Sequence, residues 1–445
     1  MVPHVIERFR EKIDGDVHFR ELVKGSATFF IIRVLGMAVG YAFTLLVTRK
    51  LGASAWGIFA LCLTILQIAS VIGRFGLDTA LLRFIAQYKA QEKVETAKHI
   101  YKKSILLVLP VSLLISGLIY FLAPLIAEKI FNKDYLTSYI KLISIAIPPF
   151  VLLSINNESL RAFKKIKEYT TFQTLLPFLI GIFIFSFLFF ALNIQDVNSV
   201  VLAYTGGIVI TFLISLMFIR KEFKNANGSK EDVPIKNILS VSFPMLMSSS
   251  LFMIMSWTDT IMLGMWRAEE EVGIYNVAMR LSMITSFTLM AINSIAAPKF
   301  AEFWGKKDLE GLKRVAQQST KLIFWTSAPV LVLYLIFPEW FMGLFGDEFE
   351  KGALALVILT VGQFVNAASG SVGIVLMMTN KQKIHRNLVI MVVLSNIALN
   401  IFLIPKFSNL GAAFASMFAQ ICGNLGGILL VKKYYGFYTV FGILR

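Results

Sequence analysis

Charged residues are scarce in this chain. Asp, Glu, Lys and Arg make up 16% of the 445 residues, whereas about 25% is usual in a soluble domain. Hydrophobic residues make up 57%, and no polar stretch is long enough to fold by itself as a soluble domain. This composition excludes an ordinary soluble protein and is typical of an integral membrane protein.

Cysteine and histidine are also too few, or too unfavourably placed, for several kinds of site. Cys62 and Cys422 both fall within apolar runs, so a disulfide framework is not expected. All four histidines lie in polar segments, which argues against a metal or haem site inside the membrane. The chain has no phosphate-binding P-loop. We therefore expect no cofactor and no metal, and we predict that the protein is not an enzyme.

Twelve apolar runs can each cross a bilayer. A membrane helix needs about 20 mainly apolar residues to span a hydrocarbon core of about 30 Å. The sequence therefore predicts an all-α integral membrane fold with twelve transmembrane helices. These runs lie at 26–47, 57–77, 104–125, 139–157, 170–191, 198–219, 239–263, 273–295, 320–338, 352–378, 387–404 and 410–431.

Positive charge is distributed unequally between the two sides of the membrane. An even number of spans puts both termini on one side, together with the loops after every second span. That side holds 32 of the 43 Lys and Arg residues, with Lys321 at the edge of the run 320–338 included, and the opposite loops hold 7. Cytoplasmic loops carry the excess of positive charge in membrane proteins. We therefore predict a multi-pass cell-membrane protein with both termini cytoplasmic, and we expect no nucleic-acid partner.

An internal repeat appears when the chain is shifted by 216 residues against itself. "WGIFAL", which begins at Trp56, falls on "VGIYNV", which begins at Val272, so Gly57 meets Gly273. The repeat predicts two pseudo-symmetric lobes of six helices around a central cavity, an architecture found among transporters. The predicted segments are an N-terminal cytoplasmic segment at 1–24, a first lobe at 25–224, a linker at 225–236, a second lobe at 237–436 and a tail at 437–445.

Four charged residues within the runs are candidate functional groups: Arg33, Arg74, Asp259 and Arg280. A charge near the bilayer centre is costly, so it normally faces a cavity or a partner. Arg74 has a local alternative, because Asp78 follows it by four residues on the same helix face. Asp259 and Arg280 lie on adjacent helices and could pair with each other. Arginine suits an anionic ligand, because its planar guanidinium matches phosphate oxygens.

Several stretches carry a resemblance to a known family. They are "VTRKLGASAWGIFAL", "GRFGLDTALLRFIAQY", "DTIMLGMWRAEEEVGIYNVAMRL", "LFGDEFEKGALAL" and "NIALNIFLIPKFSNLGAAFAS". They resemble the polysaccharide-biosynthesis flippases, the Wzx-like branch of the superfamily that also holds multidrug exporters and lipid II flippases. The resemblance runs from about Lys24 to Tyr435. It implies two six-helix lobes that form a V around a central cavity.

The resemblance also implies a function and roles for the embedded charges. The expected activity is transfer of a polyprenyl-(di)phosphate-linked oligosaccharide from the cytoplasmic to the outer leaflet by alternating access. Arg33, Arg74 and Arg280 are carried over as groups that bind the phosphate, with Asp259 as a counter-charge or coupling group. The expected partners are this substrate and membrane lipids, with glycan-assembly enzymes as a further candidate. The alternatives are a cation-coupled multidrug exporter, which would favour an acidic cavity, and a lipid II flippase.

Overall fold

The computed structural model describes residues 17–224, 226, 228–229 and 231–440, and of these the side chains of 17–27, 243–252 and 256 lie outside the description. Most of the predicted N-terminal segment 1–24 is therefore not described, nor are three residues of the predicted linker and the last five of the tail. The described chain consists of helices and connecting turns, without a strand.

Sixteen α-helices follow one another along the described chain, with short π or 3₁₀ turns between some of them. They are α1 Val17–Arg74, α2 Leu77–Ala90, α3 Val94–Leu125, α4 Leu136–Ser144, α5 Ile147–Ala162, α6 Ile166–Thr170, α7 Leu176–Ser186, α8 Val197–Glu222, α9 Ile235–Trp266, α10 Glu269–Ser282, α11 Thr285–Gly305, α12 Leu309–Ile336, α13 Pro338–Gly343, α14 Ala353–Ser369, α15 Val372–Met378 and α16 Gln382–Tyr435.

Nine helical segments of the described residues are long and apolar enough to cross a membrane. Two of them, in α1 and α16, each contain one residue with non-helical backbone angles, Gly52 and Ser408, so each consists of two legs. Helices suit this chain because each satisfies its own backbone hydrogen bonds where water is absent. The predicted all-α membrane fold is confirmed, and the count of twelve crossings stays a prediction.

Several predicted runs are interrupted in the structure, two of them at residues with positive φ. The run 57–77 ends as a helix at Arg74, because Phe75 and Gly76 take left-handed backbone angles with φ of 50° and 72°. The run 352–378 is broken at Gly370, where φ is 70°. Apolar composition alone does not reveal such breaks, because a turn between two helices can be as apolar as the helices themselves.

The chain divides into two compact units, and neither is a simple half of the sequence. Unit 1 contains Met1–Leu46, Leu66–Ala123 and Ser138–Leu246. Unit 2 contains Val47–Ile65, Pro124–Thr137 and Met247–Arg445. Two short segments of the first half of the sequence therefore belong to the same unit as the second half.

Unit 1 is held together by close helix packing and by a buried polar bridge. A Cβ atom on Gly207 of α8 would lie 2.3 Å from the Pro177 carbonyl oxygen, so α7 and α8 approach closely only because this residue is glycine. Asn156 of α5 accepts from the Tyr101 hydroxyl at 2.7 Å and donates to Ser215 Oγ at 2.8 Å. This bridge joins α3, α5 and α8.

Unit 2 has an apolar core at the end that contains the last turns of α16. It combines residues from α11, α12, α15 and α16 with a buried phenylalanine just after α16. Its buried members are Ala296, Phe300, Leu312, Ala316, Val375, Leu376, Val431, Tyr435 and Phe437. This core joins helices that are far apart in sequence.

Candidate functional site

Asp259 lies at the centre of a buried polar cluster in unit 2, called here the Asp259 site. The Tyr275 hydroxyl donates to Asp259 Oδ2 at 2.6 Å, and Ser416 Oγ donates to the same oxygen. Asn400 Nδ2 donates to Oδ1 at 2.6 Å, and Asn396 Nδ2 lies 3.3 Å from it. The Asp259, Asn396 and Asn400 side chains have no exposed surface. The carboxylate therefore takes up to four hydrogen bonds, all from neutral side chains.

Three helices build this site, and one of them contributes twice. Asn396 and Asn400 are four residues apart, so they lie on one face of the first leg of α16. Ser416 lies on the second leg, which returns to the same place because the helix breaks at Ser408, where φ is 56°. A Cβ atom on Gly411 would lie 2.4 Å from the Leu403 carbonyl oxygen. Glycine at this position therefore lets the two legs approach closely.

The chemistry of the Asp259 site follows from its neutral partners. A buried carboxylate is costly unless its charge is compensated. Here hydrogen bonds solvate the charge, but none of the four donors carries a positive charge. Asn400 Oδ1 is also buried and has no hydrogen-bond partner among the described residues. The site can therefore take up one positive charge, either a proton on the carboxylate or a small cation between the carboxylate and this amide oxygen.

The Arg280 side chain lies against an aromatic ring and not in the polar cluster around Asp259. Its guanidinium carbon lies 5.0 Å from the centroid of the Trp56 ring, within the range of a cation–π contact. The Trp56 ring is held in place, because its Nε1 donates to Asn276 Oδ1 at 3.1 Å. Asp259 takes its hydrogen bonds from neutral groups instead. The structure thus gives the two charges separate surroundings within unit 2.

The two glycines that the repeat aligns also meet in space within unit 2. A Cβ atom on Gly57 would lie 1.9 Å from the Glu269 carbonyl oxygen, and one on Gly273 would lie 2.1 Å from the Ala53 carbonyl oxygen. Ala53 and Glu269 are themselves 216 residues apart. The second leg of α1 and helix α10 therefore cross in backbone contact. In each helix, a glycine faces the carbonyl oxygen at the equivalent position of the other helix. The charge bias predicts that this crossing lies at the outer side.

Two loops hold the ends of the crossing helices. Lys133 Nζ lies 2.8 Å from Glu269 Oε1 at the start of α10, and both side chains are largely buried. Glu348 Oε1 accepts from the Ala53 amide at 2.5 Å, just after the break at Gly52. A carboxylate is favourable at the first turn of a helix, where amide groups lack partners. Glu269 and Glu348 therefore have structural partners within unit 2.

Unit 1 carries a second polar group, called here the arginine cluster. Arg74 Nη1 lies 3.0 Å from Asp78 Oδ2, so the expected local pair is present. It does not lie on one helix face, because Arg74 ends α1 and Asp78 belongs to α2. Arg161 Nη1 lies 3.2 Å from Glu158 Oε2, and its guanidinium covers the Tyr169 ring at 5.3 Å. Tyr169 is within electrostatic range of Arg33, and Glu158 of Asp78. The cluster consists of Arg33, Arg74, Asp78, Glu158, Arg161 and Tyr169.

The arginine cluster contains three cations and two carboxylates, so its net charge is positive. Arg33 is partly buried, and its guanidinium lies over the Phe29 ring at 5.4 Å. Arg161 lies beyond the predicted run 139–157 and is not among the site residues predicted from the sequence. Its pairing with Glu158, three residues before it, was the available signal. The roles predicted for Arg33, Arg74, Asp259 and Arg280 in substrate binding stay predictions.

Two family models match the chain. The model described as "Polysaccharide biosynthesis protein" matches residues 22–304, and the model described as "MatE" matches residues 244–403. Among curated proteins, the chain is 23% identical over 404 residues to the "Probable low-salt glycan biosynthesis flippase Agl15" of Haloferax volcanii, covering 89% of this chain and 80% of that protein. It is 21% identical over 378 residues to the "Putative O-antigen transporter" of Shigella flexneri, covering 82% and 87%.

Solved structures share the fold. The inward-facing conformation of a multidrug resistance MATE family transporter of the MOP superfamily superposes with a TM-score of 0.75 at 14% identity, over 92% of this chain and 98% of that one. The lipid II flippase MurJ, in an inward closed conformation, superposes with a TM-score of 0.71 at 17% identity, over 92% and 87%. At these identities the structural likeness establishes the fold alone.

Proposed function

Because the chain belongs to the polysaccharide biosynthesis protein family, we propose that it is a flippase for a lipid-linked oligosaccharide. The substrate class is an oligosaccharide on a polyprenyl phosphate or diphosphate, moved from the cytoplasmic to the outer leaflet by alternating access. An unaided crossing is prohibitive, because the sugars and the phosphate would lose their hydrogen bonds to water. The protein must therefore shelter a polar, anionic head while the lipid tail stays in the bilayer.

The positive net charge of the arginine cluster is the observation that carries this proposal. An anionic head needs cations that can hold phosphate oxygens, and the guanidinium group does so with two parallel hydrogen bonds. The guanidinium groups of Arg33 and Arg280 each lie against an aromatic ring, Phe29 and Trp56 respectively. We propose that both bind the phosphate, with Arg74 in a supporting role beside Asp78.

The Asp259 site is our candidate for energy coupling. Uptake and release of one positive charge there would change the charge of a buried group that joins α9, α10 and α16. Such a change can bias two arrangements of the same helices, because each arrangement solvates the carboxylate differently. A proton or a small cation would serve.

The topology and the repeat belong to the same proposal. We propose that both termini are cytoplasmic and that the two six-helix lobes at 25–224 and 237–436 arose by duplication. The reciprocal contacts of Gly57 and Gly273 support the duplication, because they relate equivalent atoms by the same offset of 216 residues. Glycan-assembly enzymes on the cytoplasmic side are the expected suppliers of substrate.

Replacing Arg33 or Arg280 by alanine in a strain whose own gene is deleted tests this function. We expect surface glycan to fall about tenfold or more, since a hydrogen bond to a charged group contributes about 1.5–3 kcal/mol. The complete lipid-linked glycan should accumulate on the cytoplasmic leaflet, measured by mass spectrometry of extracted lipids. Lysine at either position should restore part of the activity.

Arg314→Ala is the matched control, because Arg314 is an exposed arginine on α12 outside both polar clusters. Protein amounts in the membrane are compared by immunoblot. Full glycan export with both Arg33→Ala and Arg280→Ala would contradict the proposal. If deletion of the gene leaves the lipid-linked pool unchanged and raises drug sensitivity, the protein is a multidrug exporter instead.

A further inference from the structure

A groove on the surface of unit 1 lies outside every polar site described so far. Its volume is about 720 Å³, and its walls come from α3, α5 and α8 with the residues just after α8. This volume is in the range of pockets that hold one small ligand or part of a larger one. The apolar part is formed by Ile105, Leu152, Phe212, Leu216, Met217 and Phe223.

Five cations and no carboxylate line the same groove. They are Lys98, Lys102, Arg220, Lys221 and Lys224. Lys98 lies 3.3 Å from Glu95. The other four form no ion pair with a described residue, and all four are exposed. The groove therefore combines an apolar floor with a strongly positive end.

Two other lysines, one just before α3 and one within it, differ from these four cations because each pairs with a carboxylate. Lys93 pairs with Glu231, and Lys103 pairs with Asp232 and donates to the Val233 carbonyl at 2.9 Å. Lys103 and His99 hold the pKa of the Asp232 carboxyl below its usual range, so it remains charged. The acids of the linker thus neutralise the face that they touch. The groove face, which contains Lys102, keeps its positive charge.

The groove is preformed and opens toward the acyl chains. The bridge from Tyr101 through Asn156 to Ser215 joins its three walls, and the rings of Tyr101 and Phe223 lie 5.2 Å apart. Leu106 beside it and Met217 within it are 73% and 70% exposed. Apolar side chains so exposed on helices of this hydropathy suit contact with acyl chains. The groove therefore meets the hydrocarbon region at its apolar part and the predicted cytoplasmic interface at its cations.

We propose that this groove binds one anionic phospholipid of the cytoplasmic leaflet. The phosphate lies among Lys102, Arg220 and Lys221, and the first part of an acyl chain lies against Leu216 and Met217. Charge complementarity selects this occupant, because basic pockets between membrane helices attract anionic headgroups. A zwitterionic lipid would add the cation of its headgroup to a site that already holds five. The inference does not depend on the transported substrate, because the groove contains none of the groups assigned to it.

Native mass spectrometry of the full-length protein in detergent tests this site. Phosphatidylglycerol and phosphatidylcholine are titrated separately into the wild type and into Lys102→Gln/Arg220→Gln/Lys221→Gln/Lys224→Gln. We expect one phosphatidylglycerol to bind the wild type, and the variant to bind it at least about tenfold more weakly, as expected for several cations near one anion. Leu216→Trp, which fills the apolar part, should weaken binding as well.

The matched control removes four exposed cations elsewhere, in Lys307→Gln/Arg314→Gln/Lys383→Gln/Arg386→Gln, and should bind phosphatidylglycerol like the wild type. Equal binding by both quadruple variants, or equal binding of the two lipids, would overturn the proposal. Complete displacement by inorganic phosphate would indicate a phosphate site, and stronger binding of polyprenyl phosphate would indicate a site for the carrier lipid; both overturn it. If the quadruple variant does not fold, Lys102→Gln/Arg220→Gln gives the same comparison.

Discussion

Asp259→Asn should leave the protein folded and abolish glycan export. Asparagine has the shape of aspartate and can still accept hydrogen bonds from Asn400 and Asn396. The Tyr275 and Ser416 hydroxyls can rotate to accept from the new amide group. The amide cannot take up a proton near neutral pH and does not attract a cation. If the Asp259 site couples energy to transport, the variant should lose the coupling and keep the helix packing.

Surface glycan in the deletion strain measures export, and thermal unfolding in detergent measures stability. Asp196→Asn is the charge-matched control, because Asp196 caps the exposed start of α8 through the Asn198 amide at 3.0 Å and asparagine caps equally well. Asp259→Ala should instead destabilise the protein by about 1–3 kcal/mol, since four buried donors lose their acceptor. Wild-type export by a stable Asp259→Asn protein would eliminate the coupling role.

Gly57→Ala and Gly273→Ala should each destabilise the protein strongly and by similar amounts. The added methyl group would overlap the Glu269 or the Ala53 carbonyl oxygen, at 1.9 Å and 2.1 Å respectively. Neither oxygen can move without its helix, so the two helices would have to separate. Overpacking of this kind costs about 1–3 kcal/mol or more. We expect a fall of several degrees in Tm, or loss of stable protein, together with loss of export.

Gly117→Ala separates this clash from the ordinary effect of alanine in a helix. Gly117 lies within α3 and has nothing within 4 Å of its Cβ position. Alanine there should be neutral or stabilising by about 0.5–1 kcal/mol, because glycine is the poorer helix former. The sign of the effect should therefore differ between Gly117 and the crossing glycines. If the Gly57→Ala protein is as stable as the Gly117→Ala protein, the two helices do not cross in backbone contact.

Some site contacts followed from the sequence because their cause is local. Arg74 and Asp78 are only four residues apart, and they pair across the break between α1 and α2. Arg161 and Glu158 are three residues apart, so their ion pair can also be predicted from the sequence. The alignment of Gly57 with Gly273 was also visible, although their backbone contact was not.

The Asp259 site cannot be predicted from neighbouring residues in the sequence. Its partners Asn396, Asn400 and Ser416 are 137 to 157 residues away in the chain. They meet only because α16 breaks at Ser408 and its two legs pack closely at Gly411. Serine is a common residue in membrane helices, and nothing in its identity predicts a left-handed φ. The separate surroundings of Asp259 and Arg280 depend on the same packing.

The sequence by itself determined the membrane class and the helical fold, because the hydrocarbon core requires long apolar helices. Its bias of positive charge predicts their orientation. The sequence also indicated the repeat, because glycines and charges recur at one offset. Only the tertiary structure decided which buried charge is surrounded by neutral donors, which lies against an aromatic ring and which cations line a groove. Helices are specified by neighbouring residues, whereas contacts between helices depend on breaks and close approaches set by the packing of the whole unit.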